Sequence, residues 1–163
     1  GKLSNLMSQV ENREQVLAAV GAMAEGDAGT SQSRVNALQM LQALKDPAGL
    51  PHVHAAIQSE LDRGGDADKD VLRRAFSALR STPSETNIDI IEASLESDYV
   101  KDSWELQQRA WVAYAMIDSE DTNARITAKC NETRTNPGLH KFFQKLLPSN
   151  KIIRKLIMIH PED

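Results

Sequence analysis

The stretch VLRRAFSALR, residues 71–80, returns 35 residues later as LQQRAWVAYA, residues 106–115, and has an upstream version in SRVNALQMLQAL, residues 33–44. Each sets a small alanine (Ala37, Ala75, Ala110) inside an apolar stripe, with Asn or Arg directly before it. The three alanines are 38 and 35 residues apart. A second set of anchors agrees, since Ile57 and Leu61 map onto Ile91 and Leu95 at a spacing of 34. A period in the mid-thirties predicts a repeat of two helices per unit, each unit burying its apolar face against the next. The alanine has a physical reason to recur, because two helices can approach closely there.

Outward from these stretches the periodicity stays helical. Leu139, Phe142, Phe143, Leu146 and Leu147 follow i, i+3, i+4, i+7, i+8, the mark of a helix with one buried face. No alternating strand pattern and no Asn-Gly or Asp-Gly hairpin turn is present. IDII at residues 88–91 continues into EASLES, which favours helix over strand. Clusters of Pro, Gly and capping residues break the pattern at 25–31, 45–51, 63–68, 81–86, 100–103, 118–122, 133–138 and 148–150. Ser84, Asp102 and Asp121 are candidate N-caps. The reading is eight or nine helices in one domain, 1–163. Helices at 12–25, 50–63, 84–97 and 122–132 pair with partners at 31–44, 69–80, 102–117 and 137–147. Residues 12–117 carry the clearer repeats, 122–147 a degenerate one, and 149–160 a basic amphipathic cap helix.

The period, the two-helix unit and RRAFSAL resemble HEAT repeats, and the preceding DADKD resembles the acidic turn between the two helices of such a unit. The resemblance covers residues 12–117 well and 122–147 weakly. VNALQML lacks the Arg before its Ala. It implies an all-α, HEAT-like α-solenoid of about four antiparallel helix pairs, of the kind that holds other macromolecules on a curved surface.

Composition fits that architecture. The 163 residues are 40% hydrophobic but only 4% aromatic, so the core is mainly aliphatic. No apolar run approaches the roughly 20 residues that span a bilayer. One cysteine, Cys130, makes no internal disulfide and no multi-Cys metal site, and suits either redox compartment. No signal peptide is visible, although the chain begins at Gly1; the expectation is a soluble protein, with the cytoplasm ahead of an exported mature fragment.

No residue constellation announces a reaction. His52 and His54 lie two apart, about 200° around a helix at 3.6 residues per turn, whereas helical metal pairs use i, i+3 or i, i+4. Cys130 has no His or acid at a recognisable spacing. Glu92 with Glu96, and Asp66 with Asp68 and Asp70, read as solvated faces or caps. Gly64-Gly65 lacks the Lys-Ser/Thr of a phosphate loop. The expectation is no catalytic residue, no cofactor and no metal.

Charge is what remains. The whole chain carries −4. Residues 122–160 hold eight basic residues (Arg125, Lys129, Arg134, Lys141, Lys145, Lys151, Arg154, Lys155) and one acid, a net of +7, while residues 1–121 are −9. Lys141, Lys145, Lys151, Arg154 and Lys155 are the candidate partner-binding cations. Trp104 and Trp111, seven apart on one helical face, are the candidate aromatic anchors, although such a stripe also suits packing between repeats. A terminal cap must likewise bury one face and keep the other wet. The expected function is a non-enzymatic protein-binding or scaffold module. The alternative is a nucleic-acid-binding module that contacts phosphate through the basic end. An enzyme and a membrane-surface anchor rank lower, and acidic-on-basic stacking would allow self-association.

Overall fold

Short polar side chains set five of the helix starts. Thr30 accepts the backbone N–H of Ser33 at the head of α2 (Ser31–Leu44), Asp68 accepts those of Asp70 and Val71 at α4 (Lys69–Ser81), and Ser103 accepts that of Leu106 at α7 (Trp104–Ile117). Ser119 and Thr122 form a reciprocal capping box at α8 (Glu120–Glu132), and Asn136 caps α9 (Pro137–Lys145). Each cap satisfies amide hydrogens that have no partner inside the helix. Single 3₁₀ turns at Pro47–Gly49 and Glu85–Asn87 lead into α3 (Leu50–Asp62) and α5 (Ile88–Glu96), and α6 (Asp98–Lys101) is one further turn.

The computed structural model describes residues 2–26 and 29–159, all helix and short connections among the described residues. Asp27 and Ala28 of the expected first break, and the final residue of the expected cap helix, lie outside the described residues. Two caps differ from expectation: Ser103 rather than Asp102 starts α7, and Ser119 rather than Asp121 starts α8. The first helix differs more. α1 runs Lys2–Glu25 instead of starting near residue 12, and its residues 2–16 are exposed. The last helix, α10, is Lys151–Ile159.

Packing follows two rows. α1, α3 and α5 touch in sequence, as do α2, α4 and α7, and the rows meet through α1 on α2, α3 on α4 and α5 on α7. α8 packs on α7 and α9 on α8. The helix that carries VLRRAFSALR, α4, packs against α2, α3 and α7. Val71, Leu72, Ala75, Phe76, Ser77, Ala78, Leu79 and Arg80 are all buried. Ala37, Ala75 and Ala110 are at most 1% exposed, on the three helices that pack against one another, as a close-approach residue should be. Ile57 and Ile91 are fully buried as well. Each large apolar side chain in this seam contributes about 1.5–3 kcal/mol by leaving water.

The arginines before two of the alanines, Arg74 and Arg109, and the neighbouring Arg73 also have a structural use. Arg73 donates to Glu105 Oε1 at 2.7 Å, Arg74 reaches Gln42 Oε1 at 3.5 Å, and Arg109 donates to the Ser77 hydroxyl at 3.2 Å, each joining residues 32 apart. In the other row His54 meets Asn87 Oδ1 at 2.7 Å, and Arg125 pairs with Glu92, both across 33 residues. These five clips between neighbouring helices thus all join residues 32 or 33 apart.

Beneath the first units lies a buried ion pair. Arg34 and Glu60 are 3% and 0% exposed, with Nη1 2.6 Å from Oε1. Arg34 Nε donates to the Ala24 carbonyl at 3.2 Å, and Glu60 Oε2 accepts the Asp68 amide hydrogen at 2.7 Å. One pair therefore ties α1, α2, α3 and the cap of α4 together. Asp68 itself is held below the ordinary carboxylate range: desolvation opposes the shift, but hydrogen bonds from Ser31 and two backbone amides outweigh it.

Candidate interaction surface at the basic end

The C-terminal surface is built on an aromatic seam. Trp111 is 5% exposed and meets Tyr114 and Phe143 edge-to-face, with centroids 5.7 and 5.1 Å away. Phe142 stacks edge-on to Phe143 at 5.1 Å and to Trp104 at 5.2 Å. Trp104 with Phe142 and Trp111 with Phe143 glue α9 to α7, and each such pair adds about 0.5–1.5 kcal/mol beyond simple burial. Trp111 is therefore a packing residue. Trp104 is 39% exposed and keeps one edge toward solvent. Tyr114 is buried beside them; burial pushes its phenol pKa up, Glu92 reinforces the shift and Arg125 opposes it.

α10 is docked by one arginine. Arg154 Nη1 donates to Asp118 Oδ1 at 2.9 Å, Nη2 to Asn123 Oδ1 at 3.0 Å, and Nε to the Leu146 carbonyl at 3.0 Å. The side chain is 8% exposed. Burial lowers its pKa, and Asp118 works in the opposite direction. Asp118 can reach it because it ends α7 in the left-handed conformation, φ 54°, which Asp adopts more readily than most residues. Arg154 was expected among the partner-binding cations; its guanidinium is committed to α7, α8 and α9 instead.

Similar commitments thin the rest of the basic segment. Arg125 is held by Glu92 and Glu96, Lys129 lies 3.6 Å from Glu132, and Arg134 donates to Asn131. Lys141, Lys145, Lys151 and Lys155 are exposed, and among the described residues none of the four has an ion-pair partner. Beside Lys151 and Lys155 the apolar side chains Ile152 and Leu156 are 78% and 51% exposed. An open cleft of about 400 Å³ lies next to them, lined by Ala115, Met116, Asp118, Pro148, Lys151, Arg154 and Lys155. Its walls are thus three apolar residues, three cationic ones and one carboxylate. Asp118 and Pro148 were legible only as helix breaks and Met116 not at all; the docking of α10 over the end of α7 brings them to this edge.

The remaining chemistry-bearing residues are placed elsewhere. His52 Nδ1 meets Glu25 at 2.7 Å while His54 meets Asn87, so the two imidazoles address different neighbours. Among the described residues no three His, Cys, Asp or Glu side chains gather as a metal site would require. Cys130 does have a histidine neighbour that its spacing did not reveal: His140 Nδ1 is 3.7 Å from Sγ, brought there by the packing of α9 on α8. That same nitrogen is 2.9 Å from the Cys130 carbonyl oxygen and donates to it. A nitrogen that carries its proton to a carbonyl is not a base for the thiol, and Cys130 is only 4% exposed.

Among the described residues no helix is long and apolar enough to cross a membrane. Compared with protein-family models, curated proteins and solved structures, the chain matches none.

Proposed function

We propose that the chain is a HEAT-like α-solenoid of about four helix pairs that acts as a non-enzymatic protein-binding module, with its basic end as a docking surface for an acidic partner. Helix-to-helix clips recurring at 32 and 33 residues, and alanines buried at equivalent seams, support the repeat architecture. The observation that carries the functional reading is the surface of α9 and α10. There Lys141, Lys145, Lys151 and Lys155 stand without ion-pair partners among the described residues, beside exposed Ile152 and Leu156 and an open cleft. Desolvating an apolar strip supplies affinity, and a rim of unopposed cations supplies rate and selectivity.

The test is capture of partners from extracts of the protein's own cells by the intact chain and by a variant with Lys141, Lys145, Lys151 and Lys155 reversed to Glu. Arg154 stays untouched because it holds α10 in place. Loss of a specific partner with the reversed variant is the expected result. Equal recovery of every partner by both forms would sink the basic-end reading.

Nucleic-acid binding is the second reading, favoured by the same four lysines. Neutralising four phosphates gives a log–log salt slope of about −3 to −4. A titration with duplex and single-stranded DNA at low ionic strength that shows no affinity removes it.

A further inference from the structure

The surface of α10 falls into three strips. Arg154, 8% exposed, and Ile157, packed on the core, mark the side turned into the protein. At about 100° per residue, Lys151 and Lys155 lie about 60–100° round the helix from Arg154, and Ile152 and Leu156 about 160–200° round in the same direction. Lys151, Arg154 and Lys155 line the cleft, whereas Ile152 and Leu156, 78 and 51% exposed, stand beyond the lysines. The two lysines therefore form a ridge. On one side of it is the cleft, with Ala115, Met116 and Pro148 in its walls, and on the other an exposed apolar strip. The charge here has one sign: across α9 and α10 the charged residues are Lys141, Lys145, Lys151, Arg154 and Lys155, with no acid. The nearest acids in sequence are Glu132, 3.6 Å from Lys129, and Glu162, past the end of α10. Asp118, the carboxylate in the cleft, accepts hydrogen bonds from Arg154 and, at 2.9 Å, from the Asn123 amide. Lys151 and Lys155, at i and i+4, repel each other across one turn, and an acidic group set against both removes that repulsion.

We infer that the acidic partner proposed above binds through a short linear segment in which two apolar residues flank acidic ones. The acids meet Lys151 and Lys155, one apolar residue enters the cleft, and the other covers Ile152 and Leu156. A helix with its side chains is about 10–12 Å across, so the two apolar residues stand about three positions apart in an extended segment at ~3.3 Å per residue. The inference rests on the partner reading and specifies the chemistry of that partner. Nucleic acid matches the lysine ridge but brings charged phosphates to the apolar surfaces on either side of it. A flat bilayer reaches Ile152 and Leu156 but does not enter the cleft. Only a segment that alternates apolar and acidic side chains meets all three strips. Burial of its apolar residues supplies affinity, and its acids supply register and selectivity.

Panning a displayed library of random short peptides over the whole chain tests this. The selected peptides should share Asp or Glu between two apolar residues. One selected peptide is then synthesised and its binding followed by fluorescence anisotropy. Changing either apolar residue of the peptide to Ser, or its acids to the matching amides, should weaken binding roughly tenfold or more. These changes leave the protein untouched, so no failure to fold can imitate the result. On the protein, Lys151→Ala with Lys155→Ala, and separately Ile152→Ser with Leu156→Ser, should each have a similar effect; Arg154 is kept so that α10 stays docked. An oligonucleotide and vesicles of equimolar phosphatidylcholine and phosphatidylserine should bind more weakly than the peptide. The inference is overturned by a library that yields no enriched peptide, by acidic peptides that bind as well without their apolar residues, or by binding indifferent to Ile152 and Leu156. Tighter binding of the oligonucleotide or the vesicles through the same residues overturns it too. If the four-lysine reversal still loses a captured partner in any of these cases, the partner reading stands and only the form of the segment falls.

Discussion

Removing one member of the Arg34–Glu60 pair should be the most damaging single change in the first half of the chain. In Glu60→Ala, the Arg34 guanidinium stays 3% exposed with its Nη1 partner gone, and the Asp68 amide hydrogen loses its acceptor. Breaking a buried pair from one side costs about 3–5 kcal/mol, because the remaining charge is neither hydrated nor paired. Against a total of about 5–15 kcal/mol for a domain, that is about a fifth of the stability or more. With a urea m-value of about 2 kcal/mol/M, the unfolding midpoint should fall by roughly 2 M. Glu60→Gln keeps the shape and an acceptor oxygen and should cost less. Replacing both partners, as in Arg34→Met with Glu60→Leu, removes the stranded charge and should recover much of the loss. Urea unfolding followed by circular dichroism measures all three. A Glu60→Ala cost below about 1 kcal/mol, or a double variant no more stable than the single, would refute the view that desolvation governs this pair.

Three other outcomes follow from particular contacts. Gly21→Ala would set its Cβ 2.4 Å from the His52 ring; the overpacking cost of about 1–3 kcal/mol should exceed the roughly 1 kcal/mol gained in helix propensity, so an unchanged or raised melting temperature would refute the close approach of α1 and α3. Arg154→Ala should loosen α10, seen as faster amide exchange across residues 151–159, and should cost more than about 1 kcal/mol, whereas Lys155→Ala should stay within about 0.5 kcal/mol. Equal effects of the two would mean that Arg154 is not the anchor. Hydrogen bonds from Arg73 and Lys69 hold the Glu105 carboxyl at about 2, down from its ordinary 4.5. Because the folded value is the lower one, its small, solvent-screened stabilisation is present above pH 4.5 and is lost as pH falls toward 2. An NMR titration of Glu105 should find the low midpoint, moving up in Arg73→Ala; a midpoint near 4 in the wild type would contradict the geometry.

Helix boundaries were legible wherever a local signal marked them. Residues 31–44 were read to the residue, since Thr30 and the Lys45 break bracket an uninterrupted pattern. α3, α4 and α8 were read to within two residues. α1 was read short because its first half is exposed, and nothing there packs to mark a boundary; yet Leu3, Leu6, Met7 and Val10 already carry helical spacing. The basic end was legible as composition, but the division of its cations was not. Arg154 and Lys155 are adjacent and both basic, and only the direction each faces on α10 sends one to Asp118 and the other to solvent.

By itself the sequence determined an all-helical fold and an uneven distribution of charge, because apolar spacing, caps and net charge act over one or two turns or need no geometry at all. Tertiary structure alone decided which polar groups meet. Arg34 and Glu60 are 26 residues apart, and Cys130 and His140 are 10 apart on different helices. Such partners are chosen by the angle and depth at which helices pack. That is also why four lysines of the basic segment remain without ion-pair partners among the described residues, while Arg125, Lys129 and Arg154 are engaged.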